Sequence, residues 1–205
     1  MTSAATSEHA LASDTRLFLS RIFPDDPLPG WIELRAWGAD KRAVERHFAR
    51  SVADAERIVA ELVRRRLNVF VGIALRRTPD SGRKDNLLCV SAFWADIDDL
   101  TDIGAREEFE IRLADFPHTP SITVWSGGGL HCYWCLREPY DLTTPERVAY
   151  FEARLRGIAQ RLHADSSCCE AARVLRVPGS VHFPDKAKRD KGRVPGLCVA
   201  LRGLR

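Results

Sequence analysis

Hydrophobic and polar positions along the chain change repeatedly between the period of a helix and the period of a strand. Apolar residues three and four positions apart predict amphipathic helices over 14–23, 53–65, 104–116 and 145–162. Alternating or continuous apolar runs predict strands over 31–37, 68–75, 87–97, 121–125, 130–136 and 197–201. The polar segment 78–86 and the stretch from 163 to 184 are predicted to be irregular. Interleaved helices and strands favour an α/β (α+β) fold with a substantial sheet.

The composition is that of a single globular domain. The chain has 205 residues, of which 45% are hydrophobic and 29% are charged, with a net charge of +3. We expect a loose leader over 1–13 and one domain over 14–205. The longest apolar stretch, Val69–Leu75, is far shorter than the roughly 20 residues needed to cross a bilayer. Six cysteines without the density of a secreted scaffold favour a soluble, cytoplasmic protein.

Two aspartates close the strand predicted over 87–97. Residues two apart in a strand project to the same face, so Asp96 and Asp98 should point together, away from their apolar neighbours. Neighbouring carboxylates repel each other, and a hard divalent cation bound through their oxygens is the usual compensation. The pattern therefore indicates a metal site, with a solvated acidic strand end as the alternative.

Three consecutive glycines join the next two predicted strands. Ser126 precedes Gly127, Gly128 and Gly129, and His131 follows two residues later. Backbone N–H groups in such a turn can bind phosphate oxygens, with the serine and the histidine as further donors. Strand alternation puts His131 opposite the more apolar face, so we expect its ring to face a cleft. The alternative is an ordinary hairpin turn with a half-buried histidine.

The segment after the longest predicted helix carries a third candidate set. Asp165 can complete a three-carboxylate site, and Arg173 and Arg176 can neutralise a polyphosphate. Considered alone, an aspartate after a helix is often only a turn former.

The three segments together resemble the archaeo-eukaryotic primase (AEP) superfamily. An Asp-x-Asp strand, a Ser-(Gly)3-x-His hairpin and an acid followed by Leu-Arg-x-Pro-Gly-Ser occur in that order, as in the primase-polymerase cores of plasmids, phages and mobile elements. The likeness covers roughly residues 30 to 190, and the run Asn68–Gly72 with Arg76 and Arg77 resembles the strand that precedes the acidic motif. Many relatives read Pro-Gly-Thr-x-Asn-x-Lys, whereas this chain has His182 in place of the asparagine.

The resemblance implies an α/β unit packed on an RRM-like antiparallel sheet, with the active site in the cleft between them. It implies a DNA primase and polymerase that performs template-directed, two-metal nucleotidyl transfer on single-stranded DNA, using a primer strand and (deoxy)nucleoside triphosphates. Asp96, Asp98 and Asp165 would be catalytic and would hold Mg²⁺ or Mn²⁺. The expected nucleotide-binding residues are Ser126, Gly127, Gly128, His131, Arg173 and Arg176. Helicase or other replication or defence-system domains are expected partners within a parent protein.

Basic residues at two places are candidates for contact with a nucleic-acid backbone. They are Arg76 and Arg77 after the second strand run, and Lys186, Lys188 and Arg189 in the basic segment 185–193. A disordered basic linker is the alternative for that segment.

Two other functions stay open. The same carboxylates would serve a metal-dependent nuclease, and a non-catalytic replication-initiator module would leave them solvated.

The cysteines and tryptophans are expected to have structural rather than functional roles. Cys132 and Cys135 lie three apart on a predicted strand and therefore on opposite faces, so we expect buried thiols there rather than a zinc site. Trp31, Trp37 and Trp125 are expected in the core rather than as base-stacking platforms.

Overall fold

The computed structural model describes residues 13–40, 43–98, 100, 102–190 and 192–201, so the predicted leader lies outside it except for Ser13. The helices are 13–22 (α1), Val52–Arg64 (α2), Ile103–Ala114 (α3), Pro145–Leu162 (α4) and Lys186–Asp190 (α5). The strands are Ile32–Trp37 (β1), Val44–Ala49 (β2), Asn68–Gly72 (β3), Ala74–Arg76 (β4), Leu87–Asp98 (β5), Ile122–Trp125 (β6), Gly129–Asp141 (β7), Val174–Arg176 (β8), Val181–His182 (β9), Gly196–Leu197 (β10) and Val199–Leu201 (β11). Single 3₁₀ turns form at Lys84–Asn86 and Ser166–Cys168.

Local capping explains why the long helix starts and stops where it was predicted to. The Thr144 side chain accepts a hydrogen bond from the Arg147 backbone N–H, and Pro145 occupies the first turn, where it loses no intrahelical bond. At the other end His163 adopts a left-handed conformation with φ 54°, which terminates α4. The predictions for α2, α3 and α4 are confirmed to within two residues.

Two antiparallel sheets make up most of the fold, which confirms the predicted α/β (α+β) class. The four-stranded sheet has the order β2-β1-β3-β8, and the five-stranded sheet has the order β11-β6-β7-β5-β4. The apolar run 68–75 was expected to be one strand, but it contributes β3 to the first sheet and β4 to the second. Ile73, between them, is fully buried where the chain passes from one sheet to the other.

Strand alternation along β5 and β7 divides the core in two. Ala95, Leu130 and Trp134 pack on the side of α3 and α4, in a small cluster around Phe109. Trp94 and Tyr133 face the other way, into the larger core that also contains the apolar residues of the four-stranded sheet. Asp96 and His131 share the face of Trp94 and Tyr133, so they lie on the side where the two sheets meet.

Several short strands were not predicted. Half of the β2 residues are polar, and the segment forms a strand because its backbone pairs with β1 over six residues. The stretch from 163 to 184, expected to be irregular, contributes β8 and β9, which are only three and two residues long. Within the described residues, no helix has the length and apolar character needed to cross a membrane.

Candidate active site

Backbone and indole hydrogen bonds fix the end of β5 against the segment that follows α4. The Asp165 N–H donates to the Asp96 carbonyl oxygen at 2.8 Å, and Trp94 Nε1 donates to the Cys168 carbonyl oxygen at 2.9 Å. The Asp165 carboxylate also accepts from the Ser167 N–H at 2.8 Å, which starts the 3₁₀ turn. Residues 69 positions apart in sequence are thereby held side by side.

Asp96, Asp165 and Cys168 form a mixed cluster of potential metal ligands. One ligand atom from each lies within 4.8 Å of the others. The Cys168 thiol donates to Asp96 Oδ2 and to Asp165 Oδ2, both at 3.3 Å. The second oxygen of Asp96, Oδ1, is buried and makes no hydrogen bond. Two carboxylates suit a hard divalent cation, and the cysteine sulfur would add a softer donor once it lost its proton.

The ionisation of this cluster follows from its surroundings. Burial acts to raise the pKa of the Asp165 carboxyl, but the hydrogen bonds from Ser167 outweigh it and the net pKa is lowered. Burial raises the pKa of the Cys168 thiol, so the thiol is a neutral donor here. Arg173 Nη2 lies 3.0 Å from the Cys168 sulfur and supplies positive charge beside the carboxylates.

Asp98 is separate from this cluster. It was expected to be the third metal-binding carboxylate, but its side chain is exposed and the metal-ligand cluster of the described residues does not contain it. Asp98 instead lines the adjoining pocket described below. The structure therefore brings together two of the three predicted carboxylates and adds Cys168.

His131 lies behind Asp96 rather than in an open cleft. Its ring is 2% exposed, with Nε2 3.5 Å from Asp96 Oδ1 and Nδ1 3.4 Å from the Tyr133 hydroxyl. Burial lowers the pKa of the imidazole, although the Asp96 charge opposes that shift. The expectation of a cleft-facing ring is wrong because the second sheet covers this face of β7. In this geometry His131 contacts the aspartate, not the pocket.

The glycine turn joins β6 to β7 as predicted. Both the backbone N–H and the hydroxyl of Ser126 donate to the Gly129 carbonyl oxygen, at 2.9 and 3.1 Å. Gly127 has φ +89°, which disfavours any residue with a Cβ. At Gly129 an added Cβ would lie 2.2 Å from the Ile97 carbonyl oxygen, so a glycine is needed where the turn approaches β5.

A pocket of about 230 Å³ opens beside the turn and the end of β5. Its lining residues are Asp98, Ser126, Gly128, Arg176, His182, Lys188 and Arg193. Three of these side chains are cationic and one is anionic. Burial, reinforced by Arg176, lowers the pKa of His182 to about 4, so its imidazole is neutral at pH 7. We call this the cationic pocket.

Two polar atoms at the cationic pocket lack hydrogen-bond partners. Arg176 Nε and His182 Nδ1 are buried and make no hydrogen bond. An unpaired buried polar atom costs roughly 1–3 kcal/mol. A ligand rich in oxygen atoms would satisfy Arg176 and balance the positive charge, which is the chemistry of a polyphosphate.

The basic residues predicted to contact nucleic acid have different environments. Arg76 is fully buried and its Nη2 lies 2.6 Å from Glu33 Oε2, so that expectation is corrected: Arg76 forms an internal ion pair. Arg77 is exposed and donates to the Asp85 carbonyl oxygen. Lys186, Lys188 and Arg189 are exposed on α5, and Lys188 also lines the cationic pocket.

Cys168, His182 and Arg193 are candidate site residues that the sequence reasoning did not assign. Cys168 follows Asp165 by three residues, and this spacing is that of one 3₁₀ turn, which brings the two side chains to the same site. His182 lies in the motif that differs from the relatives and Arg193 lies in the basic segment, but nothing local shows that the fold brings both to the glycine turn. Cys132 and Cys135 are free thiols, and the expectation of burial is confirmed for Cys132, whereas Cys135 is half-buried.

Comparisons with known proteins support the fold. No protein-family model and no curated protein sequence matches the chain. Among solved structures, the AEP domain of the cyanophage S-2L primase-polymerase (PrimPol) superposes with a TM-score of 0.67 at 17% identity, covering 94% of this chain and 91% of that one. The catalytic domain of primase RepB', solved in complex with initiator DNA, gives 0.55 at 12% identity over 93% and 85%.

A second structure of primase RepB' gives a TM-score of 0.57 at 11% identity, and the match covers 92% of this chain but 56% of that one. The chain therefore has the fold of AEP primase domains. The predicted resemblance to that superfamily is confirmed at the level of the fold.

Proposed function

We propose that the chain is a nucleotidyltransferase of the primase-polymerase type. The observation that carries this proposal is that one strand of an AEP fold, β5, supplies Asp96 to the metal-ligand cluster and Asp98 to the lining of the cationic pocket. A carboxylate cluster beside a phosphate-sized basic pocket is what transfer of a nucleotide from a triphosphate requires.

Asp96 and Asp165 would hold Mg²⁺ or Mn²⁺, and Asp98 lies two residues further along β5, in the lining of the cationic pocket. When bound, such ions neutralise charge on the reacting phosphate and on the attacking and leaving oxygens. His131 acts as a positioning residue, because its ring packs behind the Asp96 carboxylate.

The cationic pocket would bind the triphosphate. Arg176, Lys188 and Arg193 would offset its charge, and the glycine turn allows its oxygens to approach the backbone closely. Catalysis of this kind depends mainly on positioning and charge neutralisation, which fixed arginines and a rigid hairpin provide. Arg173 would serve the metal cluster rather than the triphosphate, since it contacts Cys168.

Single-stranded DNA is the proposed template, with a primer strand and (deoxy)nucleoside triphosphates as substrates. The exposed Lys186 and Arg189 on α5 flank the cationic pocket and suit a phosphodiester backbone. We further propose that helicase or other replication or defence-system domains act with this core, in the cytoplasm.

The direct test is incubation of the chain with a single-stranded DNA template, labelled deoxynucleoside triphosphates and Mn²⁺. Chain formation or extension is the expected result. Shortening of the DNA would favour a metal-dependent nuclease instead. DNA binding with neither reaction would favour a non-catalytic initiator module.

A further inference from the structure

The four-stranded sheet has one apolar face and one polar face. Ile32, Leu34 and Ala36 of β1 are fully buried in the core. By strand alternation Arg35 and Trp37 project from the opposite face, where both are half-exposed. The polar face is therefore a surface of the protein at its Trp37 end.

Aromatic rings on this face are stacked. The rings of Trp37 and Phe70 lie 3.9 Å apart at an interplanar angle of 11°, and both side chains are half-exposed. The Arg176 guanidinium lies 5.3 Å from the Phe70 ring centroid. The expectation that Trp37 belongs to the core is corrected, since its indole is partly open to solvent. Trp31 and Trp125 are half-exposed as well.

A row of cationic side chains crosses the same face. The strand register aligns Arg46, Arg35, Phe70 and Arg176 on neighbouring strands β2, β1, β3 and β8. Three strand spacings of about 4.8 Å make this row about 14 Å long. Arg35 and Arg46 share the Glu33 carboxylate with the buried Arg76, so the three arginines keep an excess of positive charge.

A second pocket connects this face to the candidate active site. It has a volume of about 140 Å³, and Trp37 and Phe70 are in its lining. It shares Arg176, His182 and Lys188 with the cationic pocket. A nucleic-acid strand bound on the four-stranded sheet would therefore lead to the cationic pocket, where the triphosphate is proposed to bind.

We propose that Trp37, Phe70, Arg35, Arg46 and Arg176 form a stacking face that binds the bases and phosphates of single-stranded nucleic acid and leads the strand toward the active site. Aromatic residues on an open four-stranded sheet are a general means of stacking unpaired bases. Only the role of the bound strand as template rests on the proposed function.

The test compares Trp37→Ala with Trp31→Ala in binding of a labelled single-stranded oligonucleotide, without metal or nucleotide. Trp31 is a matched control because it is also half-exposed and lies six residues earlier in the chain, just before β1, about 20 Å distant. Trp37→Ala should weaken binding roughly 5- to 150-fold, the loss of stacking on one base. Trp31→Ala should bind as the wild type does.

Two further measurements guard against a folding artefact. Trp37→Phe should keep most of the affinity, and an oligonucleotide of abasic sites should bind wild type and Trp37→Ala equally, because only stacking is lost. Equal binding of the normal oligonucleotide by wild type and Trp37→Ala would overturn the stacking face. So would a raised KM for the nucleotide with unchanged affinity for the strand, which would make Trp37 part of the nucleotide site.

These results are distinguishable from failure of the proposed function. If the chain adds no nucleotides but Trp37→Ala still loses affinity for the strand, the stacking face stands and the enzymatic proposal fails. If nucleotide addition depends on Asp96 but Trp37→Ala binds the oligonucleotide normally, the enzymatic proposal stands and the stacking face fails.

Discussion

Nε2 of His131 lies 3.5 Å from Oδ1 of Asp96, and the two residues face each other in the register that pairs β5 with β7. The histidine is almost wholly enclosed, whereas the other oxygen of Asp96 accepts from the Cys168 thiol in the metal-ligand cluster. One oxygen of this carboxylate thus faces the imidazole, and the other lies in the metal-ligand cluster.

His131→Ala should therefore weaken metal binding. Loss of a residue that supports a metal-binding carboxylate typically costs roughly 10- to 100-fold in metal affinity or activity. A titration with Mn²⁺ followed by electron paramagnetic resonance measures the affinity, and steady-state kinetics should show a lower kcat with little change in nucleotide KM.

The exposed His118 provides the control, and His118→Ala should leave both quantities unchanged. A raised nucleotide KM with normal Mn²⁺ affinity in His131→Ala would mean that the ring binds the triphosphate directly.

Glu33→Gln should destabilise the fold. The Glu33 carboxylate is fully buried among Arg35, Arg46 and Arg76, and removing one partner of a buried ion pair typically costs about 3–5 kcal/mol. Urea denaturation measures the free energy of unfolding. Glu45→Gln, which breaks the exposed pair with Arg65, should change it little. An equally small decrease in the free energy of unfolding of both variants would contradict a stabilising role for the buried Glu33 carboxylate.

The same carboxylate predicts how stability depends on pH. Burial acts to raise the pKa of Glu33, but its bonds to Arg35 and Arg76 outweigh burial and leave the pKa below its ordinary 4.5. A carboxyl with a lowered folded-state pKa stabilises the protein above pH 4.5, and this contribution is lost as the pH falls toward the folded-state pKa. Urea denaturation at several pH values should therefore show that the free energy of unfolding falls less steeply in acid for Glu33→Gln than for the wild type.

His182 should couple phosphate binding to protonation. Its pKa is lowered to about 4 in the free protein, mainly by burial, and an anion beside it would favour the charged imidazole. The affinity for inorganic tripolyphosphate, relative to that of His182→Asn, should therefore rise as the pH falls from 7 toward 4. Calorimetric titrations across this range measure the ratio.

His163→Asn is the matched control, since His163 is exposed and asparagine tolerates its left-handed conformation. If the ratio of wild-type to His182→Asn affinity does not change with pH, His182 does not contact the bound phosphate.

The basic helix α5 should contribute to the salt dependence of DNA binding. Each phosphate contact on a single strand contributes about 0.7 to the slope of log affinity against log salt. Lys186→Ala combined with Arg189→Ala should therefore reduce the slope by about 1.4. Arg154→Ala with Arg161→Ala, two exposed arginines of α4, is the control pair. An unchanged slope in the α5 variant would show that this helix does not contact the strand.

The parts of the fold that the sequence predicts are those with strong local periodicity. The long helix α4 carries its cap, its proline and its apolar stripe within eighteen residues. By contrast, half of the β2 residues are polar and β8 is only three residues long, so both strands are recognisable only through their partners. The run 68–75 looked like one strand because nothing local shows that the chain changes sheets at Ile73.

The candidate site divides in the same way. Asp96 and the glycine turn can be recognised from the local sequence. Neighbouring carboxylates repel each other and consecutive glycines lose backbone entropy on folding, so both patterns indicate a functional role. The burial of Arg76 depends on Glu33, which is 43 residues away, and the enclosure of His131 depends on the packing of a second sheet. The pattern of hydrophobic and polar positions does not predict such long-range contacts.

The most direct test of the central claim is a single-turnover nucleotide-incorporation assay on a single-stranded DNA template, with saturating Mn²⁺, comparing wild type, Asp96→Asn and Asp115→Asn. Asp115 is an exposed aspartate at the end of α3 and controls for the loss of one negative charge. If the Asp96 carboxylate holds the cation, Asp96→Asn should fall to background while Asp115→Asn matches the wild type. Substantial incorporation by a folded Asp96→Asn would contradict the assignment of this cluster as the catalytic centre.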